Sequence, residues 1–186
     1  VIFNNWNIGK FNNNIPFTYG LDFGFKVDPD ALCKVAIDRT NKKIYLKEEL
    51  YRNGLGSEQL TNILKDICGK DNQIIGDNAE GRLIDDLYNS GLNIIACKKG
   101  AGSILAGIKI MLDYEFIVDP NSTNLIKELN NYVWDDKRSG KPIDAYNHLI
   151  DSIRYVCFYK LDDNYDWWYL LFLNYSIVYW FILIIF

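Results

Sequence analysis

One carboxylate stands in the middle of an apolar and aromatic stretch of the chain. Asp22 lies within residues 18–25, whose sequence TYGLDFGF predicts a strand. A charge in a buried strand is costly unless it is paired or binds a metal ion. Gly24, two residues later, would allow another backbone or a ligand to approach closely. Asp22 is therefore the first candidate for a metal-binding set of carboxylates.

Further candidate ligands occur at two other places in the chain. Asp77 ends a short apolar segment, QIIGD, and would share a cation with Asp22 if the two strands are neighbours in a sheet. Asp144, His148 and Asp151 are spaced so that one face of a predicted helix carries all three. Oxygen ligands of this kind suit Mg²⁺ or Mn²⁺. Two such ions can clamp the attacking and leaving oxygens of a phosphoryl displacement.

Each candidate also has a purely structural explanation. Asp22 could accept hydrogen bonds from backbone amides, as buried acids often do. Asp77 and Asp144 could each cap a helix, and this role is favoured for Asp144 because it follows Pro142 and opens a predicted helix. His148, the only histidine of the chain, could be a hydrogen-bonded structural residue. The residues alone leave these alternatives open.

Two short basic segments could contact the phosphate backbone of a nucleic acid. They supply four candidate DNA-binding residues, which are Lys98, Lys99, Lys137 and Arg138. The basic side chains would act by charge, and glycines at positions 100 and 102 would expose backbone amides beside the first pair. Either segment could instead be a solvated loop, because charge clusters usually are.

The pattern of apolar residues predicts the elements that would position these side chains. Three strand candidates, residues 18–25, 31–38 and 43–50, are joined by short polar links, which indicates an antiparallel meander. Strands at 73–77 and 92–97 then alternate with helices, an order that favours parallel pairing with right-handed crossovers. We expect an α/β domain whose mixed sheet has five or more strands and is flanked by helices.

Helical spacing of apolar residues completes this outline. One helix starts with Ser57 as its cap and ends at Gly69. The other predicted helices are residues 80–90, 103–112, 123–130 and 144–158, with a further strand at 115–118. The last of these helices would pack over the sheet edge and bring the third acid to it. The asparagine-rich residues 1–16 are predicted to be a lead-in segment.

Composition limits the class of protein. The 186 residues are 49% hydrophobic and 24% charged, which is typical of one globular domain with a substantial core. The formal net charge of −4 is unusual for a nucleic-acid-binding protein, although a carboxylate metal site adds acid that bound cations offset. Four scattered cysteines without a C-x-x-C pair argue against a zinc ribbon or a disulfide scaffold and predict reduced thiols.

The end of the chain has a different composition. Residues 167–186 are almost wholly apolar and are long enough to span a membrane as a helix. A packed C-terminal segment and non-native sequence are the other interpretations, and the residues leave all three open. We therefore predict a domain over residues 1–160 and a separate apolar tail over residues 161–186.

Several short motifs of the chain together resemble one protein family. They are GLDFGF at residues 20–25, DP at 28–29, DNAE at 77–80, KGAGSI at 99–104, NLIKELNNYVW at 124–134, PID at 142–144 and NHLIDSIRY at 147–155. In this order and spacing they resemble the nuclease domain of the phage terminase large subunit, over residues 6–159. The resemblance implies a ribonuclease-H-like fold.

The resemblance also implies a function and a site. It predicts an endonuclease that uses two Mg²⁺ or Mn²⁺ ions to cut concatemeric double-stranded viral DNA for packaging. Asp22, Asp77 and Asp151 would be the catalytic, metal-binding carboxylates, assisted by His148, and Asp151 rather than Asp144 would be the third acid. The implied partners are double-stranded DNA, the ATPase motor domain, the small terminase subunit and the portal protein, in the cytoplasm of the bacterial host.

Two features depart from the family pattern. Residues 77–81 are DNAEG, where the family has DSAEP, and no G-x-x-x-x-G-K-[ST] motif of an ATPase motor occurs in the chain. We therefore expect a domain fragment, one product of a split gene or a prophage remnant. The alternative functions are a non-catalytic module that binds DNA or the portal, and a resolvase-like nuclease of the same fold. Membrane contact is expected only through residues 167–186.

Overall fold

A mixed sheet of seven strands runs through the part of the chain that the computed structural model describes, which is residues 1–24, 27–98, 100–138 and 140–162. The strands are β1 Trp6–Ile8, β2 Phe17–Asp22, β3 Pro29–Asp38, β4 Lys43–Asn53, β5 Ile74–Asp77, β6 Ile94–Cys97 and β7 Glu115–Val118. The α-helices are α1 Ser57–Cys68, α2 Gly81–Asn89, α3 Ser103–Leu112, α4 Thr123–Asn131 and α5 His148–Leu161. A 3₁₀ turn covers Asn78–Glu80. The predicted α/β architecture with a mixed sheet is confirmed.

The predicted antiparallel meander forms the centre of the sheet. The strand order is β1-β7-β4-β3-β2-β5-β6, and β3 is antiparallel to both β2 and β4. The remaining pairs, β2 with β5, β5 with β6, β4 with β7 and β7 with β1, are parallel. Among the described strands only β3 runs against the others. The neighbouring strands β2 and β5 therefore end at the same edge of the sheet.

Apolar side chains alternate along the strands and fill a core on each face of the sheet. On one face α1 and α2 cover Leu21, Leu32 and Ile74. On the other face α3, α4 and α5 cover Ile44 and Leu46 of β4. Helix α5 packs against β2, β3 and β5, so it lies over the strands that carry Asp22 and Asp77.

Two strands differ from their predicted form. Residues 6–8, within the predicted lead-in segment, form β1 and pair with β7. Three residues are too short a run to show the alternation that predicts a strand. Strand β2 begins at Phe17 and ends at Asp22, so this carboxylate lies at the end of its strand and not in the middle. Phe25, the last residue of the predicted strand, lies outside the described residues.

Two predicted helix starts are wrong. Gly56 rather than Ser57 is the N-cap residue of α1. Helix α5 begins at His148 instead of at residue 144, because Tyr146 has a positive φ of 55° and Asn147 is the N-cap residue. Asp144 therefore neither caps α5 nor shares a helix face with His148.

Some predicted features lie outside the described residues. They are Lys99 and the apolar tail over residues 167–186 with its membrane interpretation. Within the ranges that the structure describes, no helix is both long enough and apolar enough to cross a membrane. The division into residues 1–160 and 161–186 stays a prediction. Cys33, Cys68, Cys97 and Cys157 are buried and are not joined in disulfide bonds.

Candidate active site

Asp22 and Asp77 lie side by side at one edge of the sheet. The parallel pairing of β2 with β5 sets Leu21 opposite Gly76, and each aspartate is the next and last residue of its strand. Side chains alternate along a strand. Because Leu21 points into the core under α1 and α2, Asp22 points to the other face, toward α5.

Gly20 allows α5 to pack directly on β2. A Cβ atom at Gly20 would lie 1.9 Å from the carbonyl oxygen of Ser152, so only glycine permits this approach. Asp22 is two residues further along the same face of the strand. The close packing therefore brings the polar side chains of α5 over the Asp22 carboxylate. Gly24 also allows a close backbone approach, as expected, but to residues 28–30.

Both oxygens of the Asp22 carboxylate contact polar side chains of α5. The hydroxyl group of Tyr155 donates to Asp22 Oδ1 at 2.8 Å, and His148 Nδ1 lies 3.0 Å from Oδ2. The same Tyr155 hydroxyl lies 3.1 Å from Asp77 Oδ2. The other Asp77 oxygen accepts from the backbone N–H of Ala79 at 2.9 Å, so the capping explanation holds for that oxygen. Asp22, Asp77 and His148 thus belong to one hydrogen-bonded group.

The Tyr155 hydroxyl lies between the carboxylates of Asp22 and Asp77. The side chain is 1% exposed. Burial, and then the negative charges of Asp22, Asp151 and Asp77, raise the pKa of Tyr155 above that of a free tyrosine. The hydroxyl therefore keeps its proton and remains a hydrogen-bond donor at physiological pH. Three carboxylates act electrostatically on this one group.

Asp151 is paired with Arg154 on the same helix. Arg154 Nη2 lies 2.9 Å from Asp151 Oδ1, and Nε lies 3.1 Å from the same oxygen. Arg154 is 2% exposed and passes Gly107 of α3, where a Cβ atom would lie 2.5 Å from Arg154 Cγ. A buried charge requires a partner of this kind. The guanidinium group offsets part of the negative charge at the site.

His148 is held by its Nδ1 atom. The hydrogen bond to Asp22 raises the pKa of His148, burial opposes this rise, and the charges of Asp22, Glu128 and Asp28 add to it. Its Nε2 atom lies 3.8 Å from Asp28 Oδ1. Its ring faces that of Tyr51 edge-on, with the centroids 6.5 Å apart. Because Nδ1 is engaged by Asp22, Nε2 is the ring atom that can exchange a proton with water.

The chemistry of the donor set fits a divalent cation. Carboxylate oxygens with one imidazole nitrogen are ligands that Mg²⁺ and Mn²⁺ accept. Among the described residues, no three His, Cys, Asp or Glu side chains lie close enough together to bind one ion. Tyr155 lies between Asp22 and Asp77, and Arg154 pairs with Asp151. The described side chains thus hold the carboxylates in place and offset part of their negative charge.

Comparison with known protein families is consistent with this geometry. The family model of the terminase ribonuclease-H-like domain matches residues 22–157. This chain belongs to that family. The match begins at Asp22 and includes Asp77, His148 and Asp151. The resemblance indicated by the short motifs is therefore confirmed.

Individual terminases are similar to the chain over the same region. The large terminase subunit of Bacillus phage SPP1 is 31% identical over 157 residues, which cover 80% of this chain and 36% of that protein. The PBSX phage terminase large subunit of Bacillus subtilis strain 168 is 25% identical over 148 residues, covering 79% of this chain and 34% of that protein. The chain thus spans about one third of the length of these relatives.

A solved terminase structure supports the same fold. The crystal structure of the g2p large terminase nuclease domain from bacteriophage SPP1, with bound Mn, matches with a TM-score of 0.72 at 27% identity. The match covers 84% of this chain and 96% of that one. The fold is therefore that of a ribonuclease-H-like terminase nuclease domain.

A cleft of about 480 Å³ opens beside Asp151 in this terminase domain. Gly100 and Gly102, which follow β6, contribute to its lining, as do Arg138 and Lys141 of the segment before α5. Both predicted basic segments of the chain therefore contribute to a concave surface that Asp151 also lines.

The predicted DNA-binding residues have different positions around this cleft. Arg138 lines the cleft and also pairs with Asp135, with Nε 2.5 Å from Oδ2. Lys137 is exposed beside it. Lys98 is exposed directly after β6, at the edge where β2 and β5 end. Lys99 lies outside the described residues, so its role stays a prediction.

Tyr155 and Arg154, which contact the candidate carboxylates, were not predicted from the sequence. Both lie within the segment NHLIDSIRY, but a tyrosine in an apolar helix is ordinarily explained as a core residue. The available signal was their spacing of four and three residues from Asp151, because residues so spaced share a helix face. That signal could have added both to the candidate site.

Proposed function

We propose that this terminase domain is a metal-dependent endonuclease that hydrolyses phosphodiesters of concatemeric double-stranded DNA during viral genome packaging. The two hydrogen bonds that join the Tyr155 hydroxyl to Asp22 and Asp77, with Asp151 acting on the same hydroxyl by its charge, carry the proposal. Open α/β sheets bind ligands at the carboxyl ends of their strands. Groups with strongly perturbed pKa values concentrate at functional sites. Bound Mn in the similar SPP1 domain supports a divalent metal.

Each residue of the site has a proposed role. Asp22, Asp77 and Asp151 would bind two Mg²⁺ or Mn²⁺ ions, with His148 at the same site. When bound, such ions activate a water molecule and stabilise the leaving 3′ oxygen. Asp22 would orient His148 through Nδ1, so that Nε2 exchanges a proton with the attacking water. Tyr155 would orient Asp22 and Asp77 through its shared hydroxyl.

The basic residues around the cleft would guide DNA to this site. We propose that Lys98, Lys99, Lys137 and Arg138 contact phosphate groups, which position a nucleic acid without reading its sequence. Because the chain spans about one third of its relatives, the ATPase motor, the small terminase subunit and the portal remain proposed partners. The cytoplasm of a bacterial host is the proposed location.

Plasmid nicking by the full chain in the presence of Mn²⁺ tests the proposal. Asp22→Asn should lower the nicking rate more than about 100-fold, since outer partners of metal ligands alone are worth about 10–100-fold. Asp66→Asn is the matched control, because Asp66 is an exposed acid of α1 on the opposite face of the sheet. The proposal is wrong if the wild type cuts no better than Asp22→Asn. DNA binding without cutting would indicate a non-catalytic module, and a preference for branched DNA a resolvase-like nuclease.

A further inference from the structure

Helices α4 and α5, on the active-site face, begin without a side-chain cap from their own N-cap residues. The N-cap residues, Ser122 of α4 and Asn147 of α5, make no side-chain cap bond. The first N–H groups of a helix lack partners within it, and a side-chain oxygen usually accepts from its second or third residue. In both helices a glutamate from another element supplies this acceptor.

Glu48 of β4 caps α4. Its Oε2 atom accepts from the backbone N–H of Asn124 at 2.9 Å and of Leu125 at 3.1 Å, which are the second and third residues of the helix. Its Oε1 atom accepts from the Asn124 side chain at 2.6 Å. In return, the Glu48 N–H donates to Ser122 Oγ at 2.9 Å. Strand and helix therefore exchange hydrogen bonds in both directions, which fixes α4 to the sheet.

Glu128 of α4 caps α5 in the same way. Its Oε2 atom accepts from the backbone N–H of Ile150, the third residue of α5, at 3.0 Å. The backbone N–H of Leu149, the second residue, favours the ionised carboxylate and so opposes the rise of its pKa. Glu128 is 1% exposed, and burial raises its pKa to about 7. A carboxylate is almost never so buried unless it is paired. The N-terminus of α5 is the partner of Oε2, because its dipole favours negative charge, whereas Oε1 is buried without a hydrogen bond among the described residues.

A bulge in β4 places Glu48 and Tyr51 on the same face of the sheet. The pairing of β3 with β4 shifts by one residue at Glu49. Residues three apart in a regular strand point to opposite faces. With the bulge, Glu48 reaches α4 and Tyr51 reaches the ring of His148. One strand thus contacts both helices that lead to the active site.

From these contacts we infer that Glu128 is a positioning residue for the active site: its carboxylate caps α5 and fixes the turn that carries His148 and Asp151. These two residues are the first and fourth of the helix. Glu48 fixes α4, which carries Glu128, to strand β4 of the sheet. The catalytic consequence rests on the proposed function, whereas the structural part does not.

Hydrogen exchange and NMR of the metal-free full chain test the structural part. In Glu128→Ala we expect the amides of Leu149 and Ile150 to exchange at least about 5-fold faster, the effect of losing a typical N-cap. The imidazole signals of His148 should also shift, because its ring loses its fixed position beside Asp22. His148 is the only histidine, so these signals are unambiguous.

A matched set of variants separates capping from general destabilisation. Leu64→Ala removes a fully buried side chain of α1 on the opposite face of the sheet and should leave Leu149, Ile150 and the His148 signals unchanged while the protein is folded. If Glu128→Ala matches Leu64→Ala at these positions, the inference is overturned. Glu128→Gln keeps the side-chain length and an acceptor, whereas Glu128→Asp keeps the charge but is one methylene shorter. If capping depends on reach, the amides of Leu149 and Ile150 should exchange more slowly in Glu128→Gln than in Glu128→Asp. Equal or slower exchange in Glu128→Asp would also overturn the inference, even if Glu128→Ala does not fold.

Mn²⁺-dependent nicking tests the catalytic part. We expect a loss of about 100-fold in Glu128→Ala and a smaller loss in Glu128→Gln, because a small misplacement of catalytic groups has effects of this size. Faster amide exchange with unchanged nicking would reduce Glu128 to a structural residue and overturn the inference. A wild type that does not cut contradicts the proposed function instead, and the exchange and imidazole results then decide the role of Glu128.

Discussion

Replacing Gly20 with alanine tests how the site is built. The added Cβ atom would lie 1.9 Å from the carbonyl oxygen of Ser152 and 2.6 Å from its carbonyl carbon. An ordinary carbon–oxygen contact is about 3.3 Å or longer, so α5 has to move away from β2 by at least about 1.4 Å. The atoms in conflict belong to the backbone, and no change of side-chain rotamer can relieve them.

We expect Gly20→Ala to lower both the stability of the protein and its nicking rate. Overpacking a core costs about 1–3 kcal/mol, and because backbone has to yield here we expect the free energy of unfolding to fall by about 3 kcal/mol. The same movement displaces His148, Asp151 and Tyr155 relative to Asp22. A displacement of about 1 Å can lower a reaction rate about 100-fold.

Urea unfolding of the full chain in EDTA measures the loss of stability, and Mn²⁺-dependent nicking at a temperature where the variant is folded measures the loss of rate. Gly81→Ala is the matched control, because no heavy atom lies within 4 Å of its added Cβ atom and its φ of −52° is helical. This control should be neutral or more stable by up to about 1 kcal/mol. If Gly20→Ala loses less than about 1 kcal/mol, the close packing of α5 on β2 is refuted.

Two further predictions concern the polar side chains of α5. Tyr155→Phe removes a donor to two carboxylates and should lower the free energy of unfolding of the metal-free chain by about 1.5–3 kcal/mol in urea. Tyr19→Phe, whose hydroxyl lies 3.5 Å from a backbone carbonyl, should lose less, and equal losses would contradict the role of Tyr155. The raised pKa of His148 contributes stability that is fully present below the ordinary value of 6.5 and is lost as the pH rises through the folded-state pKa. An NMR titration of the metal-free chain should give a pKa that falls in Asp22→Asn, and an unchanged value would exclude the Asp22 contact as its cause.

The neighbourhood of Asp22 and Asp77 was predictable from local patterns. Short polar links dictated the antiparallel meander, and the alternation of strands with helices dictated parallel pairing beyond it. Asp77 was predicted to end its strand, whereas Asp22 was predicted to lie within residues 18–25; the pairing of β2 with β5 brings the two strand ends together. No contact distant in sequence had to be known beyond the order of the strands.

The start of α5 was not predictable in this way. Asp144, His148 and Asp151 have helical spacing, and a local pattern cannot show that residues 144–147 leave the helix. The cap that defines the start comes from Glu128, twenty or more positions away, through a bond to Ile150. Strand β1 was missed for a similar reason, since its three residues depend on pairing with β7.

The arrangement of donors around the carboxylates has a consequence for metal binding. A concentration of negative charge at one sheet edge destabilises a fold unless it is neutralised. Tyr155, His148 and Arg154 supply two hydrogen-bond donors and a cation for this purpose. A carboxylate oxygen has two lone pairs, so accepting one such bond leaves it able to bind a cation as well. Tyr155, His148 and Arg154 can therefore hold the carboxylates in position before metal binds, and the remaining lone pairs of the carboxylate oxygens are still able to bind a cation.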